Sequence, residues 1–168
     1  MQFRLCVFCL ETDQKINIHK GDAVMYFVDR SKIEKTLGFF EHQLALFDSQ
    51  TDWQSEIGEL TLQRIGHLLI ECILDTGNDM IDGFIMRDPG SYDDIMDILV
   101  DEKVVTEKEG DELKKLIAYR KTLVQQYLLA DSGELYRLIK AHQTALQDFP
   151  KRIRSYLETE LGPVSAFK

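Results

Sequence analysis

Proline and cysteine are scarce in this chain, with three of each in 168 residues. So little proline, beside ten glycines, leaves no low-complexity stretch or long linker. The cysteines are Cys6, Cys9 and Cys72, an odd number, one of them inside a helical apolar pattern. That is not a disulfide framework, and it fits a cytoplasmic protein. Cys6-x-x-Cys9 is half of a zinc site, but no second pair follows and His19 alone does not complete four ligands, so no metal or other cofactor is expected. No apolar run approaches the roughly 20 residues that cross a bilayer, so no membrane association is expected. Excess positive charge is also missing. The formal net charge is -9, which weighs against a general nucleic-acid binder and leaves room only for a local basic groove. What remains is ordinary for a soluble domain: 44% apolar and 29% charged residues, in a length that suits one domain with a real core.

Residues 1–24 read differently from the rest. Arg4, Lys15 and Lys20 cancel Glu11, Asp13 and Asp22, so the whole net charge lies in 25–168. Phe3 to Leu10 reads as a short strand or a weak apolar signal segment. A single basic residue and no small-residue cleavage site argue against a signal peptide. Lys20-Gly21-Asp22 is encodable by a purine-rich run like a ribosome-binding site, a few codons before Met25. The expectation is that the native start is Met25, that 1–24 is a weakly packed extension, and that 25–168 is the helical domain.

From Val28 onward about five helical patterns follow one another with no strand alternation. Ser31-x-x-Glu34 reads as a capping box, followed by a stripe of Ile33, Leu37, Phe40, Leu44 and Phe47. The second helix, about 54–81, carries Leu62, Ile65, Leu69, Cys72, Ile73, Thr76 and Met80 on one face. Gly58, Gly66 and Gly77 each cost it about 1 kcal/mol of propensity relative to alanine, and close helix approach is one return for Gly66. A loop at Asp88 to Ser91 precedes a short helix over about 92–100. Thr106-x-x-Glu109 is a second capping box and opens the fourth helix. Ser132-Gly133 breaks the pattern, and a last helix over about 134–160 aligns Leu135, Ile139, His142, Leu146, Phe149, Ile153 and Leu157. Pro150 should kink it and Gly162-Pro163 should stop it. Long one-sided helices with short connections predict an all-α, antiparallel bundle of four helices plus a short one. Phe39, Trp53, Tyr92 and Tyr119 fall outside the stripes; some of them must cover a second surface, for which a two-fold dimer interface is the economical place.

The stretch from Arg120 to Tyr127 (RKTLVQQY) is the most informative. Arg120 interrupts an apolar stripe of Leu113, Ile117, Val124 and Tyr127. A guanidinium on such a face needs a partner, because an unpaired buried charge is expensive. The candidates are Glu71, Asp75 or a carboxylate from a second chain. Positions i and i+5 of a helix point roughly 140° apart. Arg120 and Gln125 therefore share a site only if the helix distorts near Tyr127 or a second subunit supplies the other half.

Arg120 followed by Tyr127, with Asp75 and Asn78 on the second helix, the loop residues Pro89, Ser91, Tyr92 and Asp94, and Asp131 beyond the motif, resembles the HepT-like branch of the HEPN superfamily over residues 26 to about 160. The resemblance implies a metal-independent RNase toxin, dimeric, paired with a nucleotidyltransferase antitoxin. In that pattern the arginine steadies a phosphate, for which a planar guanidinium is suited, and a histidine moves protons near neutrality. Tyr127 falls where such a partner attaches AMP, whose bulk and charge would block the RNA groove. Asp75, Asn78 and Lys121 are supporting positions. One departure matters: the histidine position is Gln125, whose amide does not titrate usefully. His19, His42, His67 and His142 are not spaced to replace it locally, and His142 reads as a core or interface histidine. Weakened or lost RNase activity is therefore the expectation. The alternatives are a non-catalytic dimeric module that binds a nucleotidyltransferase, and a nucleotide- or RNA-binding regulator.

Overall fold

The structure, a computed structural model, describes residues 27–162. The expected extension over 1–24, with Cys6, Cys9 and His19, and the expected start at Met25 lie outside the described residues, as does Pro163. Helix α1 spans Arg30–Ser49. Its N-cap is Asp29, whose carboxylate accepts from the Lys32 N–H at 2.9 Å, and not the expected Ser31. The Glu34 that would close a Ser31 box is held instead by Arg154, and aspartate caps as well as serine. The predicted stripe from Ile33 to Phe47 is buried throughout.

Helix α2 spans Glu56–Gly83 behind a Ser55 cap and runs back along α1. Lys32 at the start of α1 meets Asp79 near the end of α2 at 2.6 Å, which fixes the antiparallel sense. Its predicted apolar face is buried along its whole length. Gly66 provides the close approach expected of it: a Cβ there would lie 2.9 Å from Leu135. Helix α3, Tyr92–Asp101, is the short one, and Arg87 and Ser91 brace its first turn through Asp94. The Arg87 guanidinium, with the Gly90 N–H, holds the Asp94 carboxyl down at about 2.

Two long patterns divide. The fourth becomes α4, Glu107–Ala118, and α5, Arg120–Gln125, separated by Tyr119. Both halves of the Thr106–Glu109 capping box form. The fifth becomes α6, Ser132–Ala141, and α7, Gln143–Leu161. The break lies at His142, and α7 continues as helix through Pro150. Hydrogen bonding carries across His142, from its N–H to Leu138 O at 3.2 Å and from Leu146 N–H to His142 O at 3.1 Å. Burial is unaffected: Leu135, Ile139, Leu146, Phe149, Ile153 and Leu157 all enter the core. Each such side chain contributes about 1.5–3 kcal/mol. The α7 end of this rod is antiparallel to α1. Arg154 forks onto Glu34 and Glu41, and Arg30 donates to Leu157 O and Gly162 O. The result is the predicted antiparallel bundle of four rods (α1, α2, α4–α5, α6–α7) with α3 beside it, and no strand occurs among the described residues. No helix among them is long and apolar enough to cross a membrane.

Candidate functional site

Tyr119 shapes the site by interrupting the rod. It is one of the aromatics outside the stripes, and it is buried within this chain. Its hydroxyl donates to Asp131 O at 2.9 Å and accepts from the Asp131 N–H at 3.2 Å. Burial pushes this phenol's pKa up, which keeps it protonated and able to donate. Asp131 in turn caps α6 through Gly133 and Glu134. The segment from Arg120 to Ala130 is thus a loop of chain closed at its base by one phenol.

Within that loop α5 ends at Gln125, and Gln126 leaves helical geometry at φ -121°, ψ 33°. A single 3-10 turn, Tyr127–Leu129, follows. The helix thus distorts near Tyr127, but only after Gln125, so the Arg120–Gln125 stretch stays helical and the break does not turn these two side chains toward each other. The break also ends the apolar stripe: Leu113 and Ile117 are buried, but Val124 and Tyr127 are 42% and 65% exposed. Leu128 and Leu129 are more exposed still. Of the other aromatics outside the stripes, Trp53 stacks on Phe47, while Phe39 and Tyr92 face outward.

Arg120 turns inward to α2. Its Nε donates to Glu71 Oε1 at 2.6 Å and a terminal nitrogen donates to Oε2 at 3.4 Å. Its guanidinium carbon lies 4.7 Å from the ring centre of Tyr92 on α3. Of the carboxylates weighed from the sequence, Glu71 makes the hydrogen bond, and that bond raises the Arg120 pKa. Asp75 is exposed one turn further along α2 and acts on Arg120 only at longer range. Partial burial, then Glu71, then Asp79, push the Asp75 carboxyl up. Asn78 is half-buried beyond it, and Lys121 and Gln125 are exposed on α5. No hydrogen bond joins Gln125 to Arg120 among the described residues.

The fold adds a histidine that local spacing does not reveal. His67 Nε2 lies 3.1 Å from Glu71 Oε1, and its Nδ1 lies 3.2 Å from a terminal nitrogen of Arg64. The available signal was the i, i+4 relation of His67 to Glu71, which was already a candidate partner for Arg120. A continuous chain therefore runs Arg64, His67, Glu71, Arg120, Tyr92 across α2, α5 and α3. Arg120 keeps 22% of its side chain open, His67 28% and Glu71 30%. Two guanidiniums can grip an anion there, and an imidazole and a carboxylate can move or hold a proton. Among the described residues no group of three or more His, Cys, Asp and Glu is placed to hold a metal ion.

The chain is similar to several known proteins. A relative from Bacillus subtilis (strain 168), named "Putative RNase YutE", is 99% identical over 144 residues, which are 86% of this chain and all of the relative. A solved structure described as a cytosolic protein of unknown function, YutE from Bacillus subtilis, is 99% identical, superposes with a TM-score of 0.83, and is matched over 85% of this chain and 100% of its own. The fold extends to far more distant proteins. A tri-AMPylated Shewanella oneidensis HEPN toxin in complex with an MNT antitoxin shares 16% identity at a TM-score of 0.66, over 73% of this chain and 96% of its own. The model of the family described as ribonuclease HepT-like matches residues 33–153, from the first buried residue of α1 to the inner face of α7 and across the whole Arg120 centre. The chain belongs to the HepT-like family of the HEPN superfamily.

Proposed function

We propose that this protein is the RNA-acting member of a toxin–antitoxin pair, a metal-independent RNase whose cleavage is weak because Gln125 stands at the histidine position of the motif. The observation that carries the reading is Arg120. It is oriented by Glu71 and Tyr92, partly open, and seated at the start of α5 beside the break at Tyr119. A pre-oriented guanidinium grips a phosphate with little further ordering. Proton transfer by a placed side chain contributes about 100- to 10,000-fold, so an amide at position 125 lowers the rate by a factor of that order.

The exposed run Val124, Tyr127, Leu128 and Leu129 supports a second copy of this chain as the partner that completes the groove. Tyr127, with its phenol in solvent, suits AMP attachment by a nucleotidyltransferase antitoxin; the added negative charge beside Arg120 would compete with RNA phosphate. One observation favours the non-catalytic module instead. Glu71 and Asp79 on α2 are paired with Arg120 and Lys32, but Asp75 between them is exposed and, with the overall acidity, repels nucleic acid. Cleavage of single-stranded and transfer RNA in EDTA separates the two. The RNase reading expects slow cleavage, about 100-fold faster with Gln125→His and lost with Arg120→Ala. Equal cleavage by wild type and Arg120→Ala would refute it.

A further inference from the structure

We propose that His67, oriented by Glu71, is the proton-transfer group of the Arg120 centre, and that Arg64 and Arg120 hold the RNA phosphate from either side of it. The inference rests on the RNA-cleaving reading and supplies the imidazole that the motif lacks.

The hydrogen bonding fixes how the ring is used. A guanidinium donates and never accepts, so the contact from Arg64 at 3.2 Å makes Nδ1 the acceptor nitrogen. Nε2 then carries the hydrogen and lies 3.1 Å from the carboxylate oxygen Glu71 Oε1. A carboxylate on one ring nitrogen fixes the tautomer and stabilises the imidazolium that forms when the other nitrogen takes a proton. The same Glu71 oxygen accepts from Arg120 Nε at 2.6 Å, so one carboxylate sets both the phosphate grip and the base. Arg64 is exposed and anchored here through His67. A phosphate that draws Arg64 outward uncovers the Nδ1 lone pair on the side where that phosphate sits.

The other described histidines do not compete for the role. His42 lies on the exposed side of α1, and His142 lies on the inner side of the α6–α7 rod, 4.0 Å from Glu112. A purely structural role would leave kcat and its pH dependence unchanged, because ion pairs this open contribute little to stability.

The step balances without any added reactant. The ribose 2′-hydroxyl gives its proton to Nδ1, and the 2′-oxygen forms a bond to phosphorus. The bond from phosphorus to the 5′-oxygen breaks, its electron pair stays on that oxygen, and the oxygen takes a proton from water. The imidazolium returns its proton to solvent. The products are a 2′,3′-cyclic phosphate and a 5′-hydroxyl, with no change in oxidation state.

The test compares wild type, His67→Gln, Arg64→Ala and Gln125→His on a labelled single-stranded RNA in EDTA from pH 5 to 8. Affinity for the all-2′-deoxy strand of the same sequence is measured in parallel. Circular dichroism and urea midpoints confirm folding. The proposal expects His67→Gln to lower kcat at least 100-fold with affinity for the deoxy strand within about threefold of wild type. It also expects the fall in rate toward acid pH to vanish in that variant, and Arg64→Ala to raise KM about tenfold, as loss of one phosphate contact does. Wild-type rate and pH profile in His67→Gln would overturn the proposal and leave the RNase reading standing. Cleavage by Gln125→His but not by wild type would also overturn it, since His67 would then transfer no proton. If neither cleaves, the RNase reading fails and the role of His67 fails with it.

Discussion

Gly77 is where packing reports most sharply on the site, because it sets the distance between α2 and α3, the helix that carries Tyr92. A Cβ on Gly77 would lie 2.4 Å from Ile95 Cγ2, more than 1 Å inside an ordinary carbon–carbon contact. Met96 and Leu99 stand at 3.5 and 3.7 Å, so the methyl has nowhere to move sideways. Ile95 is 2% exposed, and a β-branched side chain turns poorly about χ1. Overpacking costs about 1–3 kcal/mol, and an approach this short with no sideways room falls in the upper part of that range, about 2–3 kcal/mol. Against that, replacing a mid-helix glycine with alanine gains about 1 kcal/mol of propensity. Clash outweighs propensity, so Gly77→Ala should destabilise by about 1–2 kcal/mol. Ile95→Ala removes the clashing carbon. In that background Gly77→Ala should change sign and stabilise by about 1 kcal/mol, a coupling of about 2–3 kcal/mol between the two positions. Urea denaturation of the four proteins, with unchanged m-values, measures the cycle. A neutral or stabilising Gly77→Ala in the wild-type background, or additivity within about 0.5 kcal/mol, would refute the α2–α3 contact and with it the placement of Tyr92 under Arg120.

Three further outcomes are expected. The Asp75 carboxyl is pushed up on folding, so its ionisation disfavours the folded state, and stability falls as pH rises from the unfolded-state pKa through the folded one. Asp75→Asn should therefore raise Tm at pH 7 and make no difference at pH 3; a lower Tm at pH 7 would show that Asp75 is favourably paired. Tyr127→Phe should shift stability by no more than about 0.5 kcal/mol, as at an open surface site, and should abolish AMP attachment by the cognate nucleotidyltransferase, read by intact-protein mass; attachment that persists would place the acceptor elsewhere. Burial, then Asp75 and Glu71, push the Cys72 thiol up to about 11, so iodoacetamide at pH 8 should label it only after unfolding in urea; rapid labelling of the folded protein would contradict its placement.

The stripes of α1 and α2 were legible because a 3.6-residue period with one buried face leaves a strong pattern, and every residue assigned to them is in the core. The Thr106 cap was legible because both of its bonds are local. The cap of α1 was not, since Glu34 chose a partner 120 residues away. Breaks at Tyr119 and His142 escaped notice for a related reason. Hydrogen bonds continue across them, from Leu123 N–H to Tyr119 O and from Leu146 N–H to His142 O, so apolar periodicity barely changes. The sequence left Arg120 either paired with a carboxylate, Glu71 among the candidates, or serving a site. The choice depends on the register of α5 against α2, which no local pattern encodes. His67 was invisible as a neighbour of Arg120 because it joins that residue only through Glu71.

The central claim is that Arg120 holds RNA phosphate, and binding tests it without depending on catalysis. The measurement is the affinity of an all-2′-deoxy, non-cleavable strand for wild type and Arg120→Ala, by fluorescence anisotropy at fixed salt. A charge-assisted contact of about 1.5–3 kcal/mol predicts affinity at least tenfold weaker in the variant. Equal affinity would contradict the account and leave Arg120 as a structural partner of Glu71.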